Sequence, residues 1–259
     1  ATHQGEHEHG DDAQEPKSAT GREGHDPCPW PGPWVHDRDG SGQASYDGAV
    51  TGPSPDVIEI VRGEHARAGG VLGRAFQEDP QWAALMVDPE VRRKKLPMMF
   101  AGTVRLTRAA DGVAERTPGF EACALWLRPG RNIGVSAVVR SGFAPARWLL
   151  TPPLQNPRRM MRVLRRFDQR RAEVMTVPHW YLMALGVDPA HQGEGFGSAL
   201  VRAGTRRADR DQVPIYLETE TGLNVAFYGR LGFVVIDELD LAELGLRFAL
   251  MLRPPETSS

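Results

Sequence analysis

Two cysteines occur in 259 residues, Cys28 and Cys123, and they lie far apart and match no zinc-ligand spacing. A disulfide framework is not expected, and a reducing cytoplasm is the simplest location. No apolar run approaches the ~20 residues needed to cross a bilayer, so no membrane partner is expected. No basic segment followed by an apolar stretch opens the chain, so no secretory signal is visible. What is present suffices for a full core, since 41% of residues are hydrophobic and 25% are charged.

The charge is unevenly placed. Residues 1–55 carry ten acidic and three basic side chains, a balance of −7, whereas the remainder carries 23 and 28, a balance of +5. An acidic segment on a mildly basic domain suits an anionic cofactor. Residues 1–55 are rich in Gly, Pro, Ser, His and Asp and show neither helical nor strand period, so they read as a largely disordered tail before a globular domain at 56–259. Within the tail, "CPWPGPW" (28–34) could dock through Trp30 and Trp34 as an extended segment. His3, His7 and His9 alternate with acids, which favours a solvated tail over a metal site, and no metal is expected.

From Asp56 the pattern turns globular. "DVIEIV" alternates like a strand, and "EHARAGGVLGRAFQEDP" follows as a helix that Asp79-Pro80 terminates. Asp88 and Pro89 read as N-cap and first position of a second helix running toward Thr107. "GVAERTPG" and "FEACALWLRPG" read as two strands joined by a Pro-Gly turn. A helix at 157–175 places Met160, Val163, Leu164 and Phe167 on one face and seven arginines on the others. Those arginines read as a solvated face, because no aromatic stacking motif accompanies them, and no nucleic acid is expected. "HWYLMALGV" (179–187) is a buried strand, followed by a glycine loop and helix at 193–209. The strand "VPIYLETE", the short helix "GLNVAFYGRLG" and the strands "FVVIDEL" and "LRFALMLRP" complete an α/β alternation with helices on the faces of a sheet.

The loop "HQGEGFGSALV" carries Gly193, Gly195 and Gly197. A dinucleotide fingerprint would need one more residue before its last glycine, and a P-loop would need a lysine before Ser198. Gln192-Gly193-Glu194-Gly195-Phe196-Gly197 instead satisfies Gln/Arg-x-x-Gly-x-Gly/Ala, in which backbone amides hold a pyrophosphate at the positive end of a helix.

With "ALGVDPAHQ" before this loop, and "IYLET" and "NVAFYGRLGF" after its helix, the sequence resembles the GNAT acetyltransferase superfamily. "AFQEDPQW…VDPE" and "LWLRPG" extend the resemblance toward the puromycin N-acetyltransferase branch, from about Val57 to Arg253. The resemblance implies a mixed, mostly antiparallel sheet flanked by helices, with a splayed strand pair holding acetyl-CoA. It implies that main-chain groups of Leu185, Gly186 and Val187 pair with pantetheine, one N–H serving as oxyanion donor. Gln192 to Ser198 would hold the pyrophosphate, Asn224 and Phe227 would border the cofactor, and Tyr228 would protonate the leaving thiolate. A core aromatic is the competing reading of Tyr228.

Glu218 is the best-placed carboxylate for the amine proton, or else a partner for an arginine. His179 is a weaker candidate and reads as a strand-start residue, while His191 leans toward a phosphate or stays in a solvated turn. Trp180 would wall the acceptor site or sit in the core. Phe76, Asp79 and Trp82 would shape acceptor specificity, with Asp79 either attracting a cationic amine or merely ending a helix. The expected reaction is acetyl transfer to a primary amine of a small molecule, such as an aminonucleoside antibiotic, which would confer antibiotic resistance. The alternatives are a protein or peptide N-acetyltransferase and a non-catalytic acyl-CoA sensor. The active form is expected to be a monomer or homodimer.

Overall fold

The computed structural model describes residues 55–142 and 157–256, all within the unit spanning 46–259. The expectations for the acidic tail, its tryptophans and its histidines lie outside the described residues.

Seven strands build one sheet: β1 (Ile58–Glu59), β2 (Val113–Arg116), β3 (Ala122–Leu127), β4 (Trp180–Val187), β5 (Ile215–Thr219), β6 (Val234–Leu241) and β7 (Leu246–Arg253). They lie in the order β1-β2-β3-β4-β5-β7-β6, and every neighbouring pair is antiparallel except β4 with β5. The expected mixed, mostly antiparallel sheet is therefore present.

Helices α1 (His65–Ala75) and α3 (Pro89–Ala109) cover one face, where Leu72, Phe100 and Val104 pack on Leu125 of β3. Gly69 and Gly73 on α1 let the two helices touch: a Cβ on Gly73 would lie 2.7 Å from the Pro97 ring of α3. Helices α6 (Phe196–Asp211) and α7 (Gly222–Gly229) cover the opposite face, where Leu200 and Val201 meet Trp126, Leu182 and Leu217. Gly204 of α6 rests against the Trp126 indole, where any side chain would collide. Arg207 and Glu115 join α6 to β2 through two hydrogen bonds of 2.7 Å.

Helix α5 (Pro157–Val174) lies beside β6 and β7, with Phe167 set edge-on against Phe248 at 4.9 Å. Its expected apolar face holds in part. Met160, Val163 and Phe167 are buried, but Leu164 is 41% exposed, having drifted off the stripe.

Two short helices, α2 (Pro80–Leu85) and α4 (Val135–Arg140), have no counterpart in the sequence reading. Asp79 is a correction: it starts α2 rather than ending α1, its Oδ1 accepting the Trp82 N–H at 3.0 Å with Pro80 at the first position. The chain leaves α1 at Ala75 and is held by Arg92, a buried side chain of α3. Arg92 donates to the carbonyls of Gln77 (2.8 Å), Met86 (2.8 Å) and Val87 (3.0 Å).

Candidate active site

β4 and β5 pair only at Trp180–Ile215 and Tyr181–Tyr216 and then part. A bulge at Met183 sharpens the bend, because Leu125 faces Ala184 while Trp126 faces Leu182. Leu185, Gly186 and Val187 are paired on one edge with Ala124, Cys123 and Ala122, which leaves their other edge to the gap. Gly186 is required here, since a Cβ would lie 2.8 Å from Leu72 Cδ2 and 2.9 Å from the Ala75 Cβ of α1.

Asp188 and the turn Pro189–His191 lead from β4 to the glycine loop. Gly193 and Gly195 both take left-handed backbone conformations (φ +85° and +87°), and Gly195 is the N-cap of α6 without any side-chain cap. Gln192, Gly193 and Glu194 are exposed, and Phe196 and Ser198 are half-buried. Gly197 is buried, and a Cβ there would come within 3.2 Å of Val187 Cγ2. The loop thus presents uncapped first-turn N–H groups at a helix N-terminus beside an open strand edge, which fits a pyrophosphate followed by an amide-bearing arm. His191 stays in the turn, with Nδ1 3.3 Å from Glu194 Oε1.

Residues 160–233 match the model of the Acetyltransferase (GNAT) family. Over 207 residues the chain is 28% identical to an uncharacterized N-acetyltransferase of Schizosaccharomyces pombe, covering 76% of this chain and 82% of that protein. The fold matches a structure described as histone acetyltransferase HPA2 and related acetyltransferase from Corynebacterium glutamicum, with a TM-score of 0.54 and 25% identity over 80% of this chain and 99% of the other. This is a GNAT-fold acetyltransferase. Arylalkylamine N-acetyltransferase 2 from Aedes aegypti shares the fold at a TM-score of 0.50 and 12% identity, over 79% of this chain and all (100%) of that one. The fold implies acetyl-CoA as cosubstrate of the acetyltransferase, and the strand gap and loop of this chain fit it.

Tyr228 of α7 is buried between Phe227 (ring centroids 5.0 Å) and Phe233 (5.6 Å). Burial, aided by the charge of Glu220, raises its pKa, so the phenol keeps its proton at neutral pH. Phe227 also reaches the loop helix, its Cζ lying 3.6 Å from where a Gly197 Cβ would stand. Asn224 is exposed on the first turn of α7, whose cap is Thr221: Oγ1 accepts the Asn224 N–H at 3.1 Å.

The carboxylates of the acetyltransferase lie on one side of β5. Successive residues of a strand alternate faces, so Tyr216, Glu218 and the following Glu220 share one. Burial pushes Glu218 up to about 7, opposed by Arg171 of α5 and by the hydroxyls of Tyr181 and Tyr216. Even so, Glu218 Oε1 and the Tyr216 hydroxyl are buried with no partner in hydrogen-bonding geometry. Arg171 stacks on the Tyr181 ring at 4.2 Å and is paired with Asp168 at 2.7 Å.

Glu220, which the sequence reading missed, meets Asp79. Burial first, then the hydrogen bond and charge of Asp79, raise the Glu220 pKa, while Glu220 Oε1 has no partner. This meeting of two carboxyls brings the α1–α2 connection to the end of β5. Phe76 stacks on Phe100 at 4.9 Å and Trp82 meets the same ring edge-on at 5.8 Å, forming an aromatic wall beside Asp79.

Trp180 is a correction. It is 1% exposed at the paired end of β4, packed with the α6 side of the core, and its Nε1 donates to Asp211 Oδ2 at 2.8 Å. It walls no acceptor site, because its position on the strand turns it to the face away from Tyr181 and Glu218. His179 packs at the strand start, with Nδ1 2.8 Å from the Val177 carbonyl and its pKa lowered by burial.

Proposed function

We propose that this acetyltransferase acylates the primary amine of a small cationic molecule, of the aminonucleoside type or a related metabolite. The observation that carries this reading is the set of carboxyls Asp79, Glu220 and Glu218, bounded by Phe76 and Trp82 and set against the splayed strands. The Asp79 and Glu220 carboxyls meet beside the aromatic wall, where a carboxylate docks an ammonium. Glu218, two residues back on the same strand face, titrates near neutrality and takes the ammonium proton, because a base works best when its pKa lies near the working pH.

Bound acetyl-CoA supplies the activated acetyl group as a thioester. Loop residues Gln192 to Ser198 hold its pyrophosphate, and the free edge of Leu185, Gly186 and Val187 pairs with its amides and points an N–H at the developing oxyanion. Asn224 and Phe227 border the cofactor arm. Tyr228, kept protonated by burial, donates its hydroxyl proton to the departing thiolate.

The test is mass spectrometry of the full chain with acetyl-CoA and a panel of aminonucleosides, aminoglycosides, polyamines and N-terminal peptides. Acetylated aminonucleoside or polyamine supports the reading, and would make drug inactivation a role of the enzyme. A product from peptides alone refutes it in favour of protein modification. Coenzyme A binding without any product refutes it in favour of a sensor.

A further inference from the structure

A cavity of about 430 Å³ lies away from the splayed strands, between the turn before α1, the C-terminal part of α3 and α4. Arg62, His65, Arg105, Arg108 and Arg140 line it. Glu59 is the carboxylate that enters this cluster, pairing with Arg108 at 2.7 Å while itself 63% exposed. Arg108 also donates to the Ile60 carbonyl, and Arg140 donates twice to the Ala109 carbonyl, at 2.9 and 2.6 Å. Glu64, the other nearby acid, is turned away and bound to Arg116 at 2.7 Å. Among the described residues Arg62 and Arg105 have no hydrogen-bond or ion-pair partner. His65 Nε2 is buried and has none either.

Four guanidiniums against one carboxylate leave three positive charges around a concave surface, an arrangement that repels itself unless an anion joins it. We infer that this cavity binds the phosphate groups of a small phosphorylated molecule. The planar fork of arginine matches phosphate oxygens two at a time, and the charge excess suits a dianion better than a lone carboxylate. The volume lies in the range of small-molecule pockets and far exceeds one orthophosphate, so it suits a ligand of nucleotide size. His65 adds a donor or acceptor at Nε2, and burial with the neighbouring arginines lowers its pKa, which holds it neutral until an anion arrives. The site is distinct from the acetyl-transfer site. His65 begins α1 and Phe76 follows its end, about 16 Å apart along a helix of eleven residues.

The experiment is calorimetric titration of the full chain with inorganic pyrophosphate, in saturating coenzyme A so that the glycine loop is already filled. The wild type is expected to bind pyrophosphate, and the double variant R62Q/R105Q to bind it at least about tenfold more weakly. Both arginines are exposed, and circular dichroism of the variant checks that it folds. A second titration, with ADP, separates the two sources of phosphate. Binding tighter than pyrophosphate assigns a nucleotide, and equal binding assigns polyphosphate alone. Three results overturn the inference: no binding to the wild type, unchanged affinity in R62Q/R105Q, or citrate binding as tightly as pyrophosphate.

Discussion

Replacing Glu218 by glutamine removes a buried charge while keeping the shape of the side chain, and its effect on stability carries a definite sign. In the unfolded chain this carboxyl releases its proton near 4.5, whereas the fold retains it to about 7. Across that window the folded state holds more protons, so stability falls as pH rises. The difference corresponds to roughly 3 kcal/mol, which relaxation of the site around the charge trims to about 2 kcal/mol. Glu218→Gln should therefore match the wild type at pH 4.5 and exceed it by about 2 kcal/mol at pH 8, a rise in Tm of about 4–8 °C for a domain of this size. Turnover should move the other way, with kcat lower by about 10²–10⁴. Thermal denaturation from pH 4.5 to 8, run beside steady-state kinetics, reads both. Parallel stability curves for the two proteins would refute titration of Glu218 in the neutral range, and undiminished kcat would refute its role as base.

Three further outcomes are expected. Gly195→Val should weaken coenzyme A binding at least about tenfold by calorimetry, because valine resists a left-handed backbone and its branch crowds the anion. Tyr228→Phe should leave denaturation midpoints within about 1 kcal/mol and lower kcat by about 10²-fold or more; equal kcat would return this residue to the core. Gly204→Val should destabilise the fold by about 1–3 kcal/mol in urea, since its side chain must displace the Trp126 indole between α6 and the sheet.

Much of the frame was legible in the sequence because its signals are local. The glycine loop, the helix it opens and the buried strand before it are adjacent in the chain, and each has its own spacing. Asp79 shows where local signals fail. Asp-Pro can end one helix or begin the next, and the segment around it is held by Arg92, a side chain in "VRRKK" that nothing in its neighbourhood distinguishes. Trp180 sits in a near-continuous apolar run, so no alternation told which face it takes. Glu218 and Glu220 occupy equivalent places in "YLETE", and only the long-range meeting with Asp79 gives the second its standing.

The parting of β4 from β5 makes the sheet two leaves, β1 to β4 and β5-β7-β6, stitched along their seam by just two register pairs. A ligand arm lying in that seam would take the place of a strand, and part of the hydrogen-bonding ladder would then belong to a diffusible molecule. With acetyl-CoA bound there, the stability of the fold would follow cosubstrate concentration, rising by about 2.7 kcal/mol at a hundredfold excess over Kd. Amides of 182–187 and 217–219 should be the ones whose hydrogen exchange slows as acetyl-CoA is added.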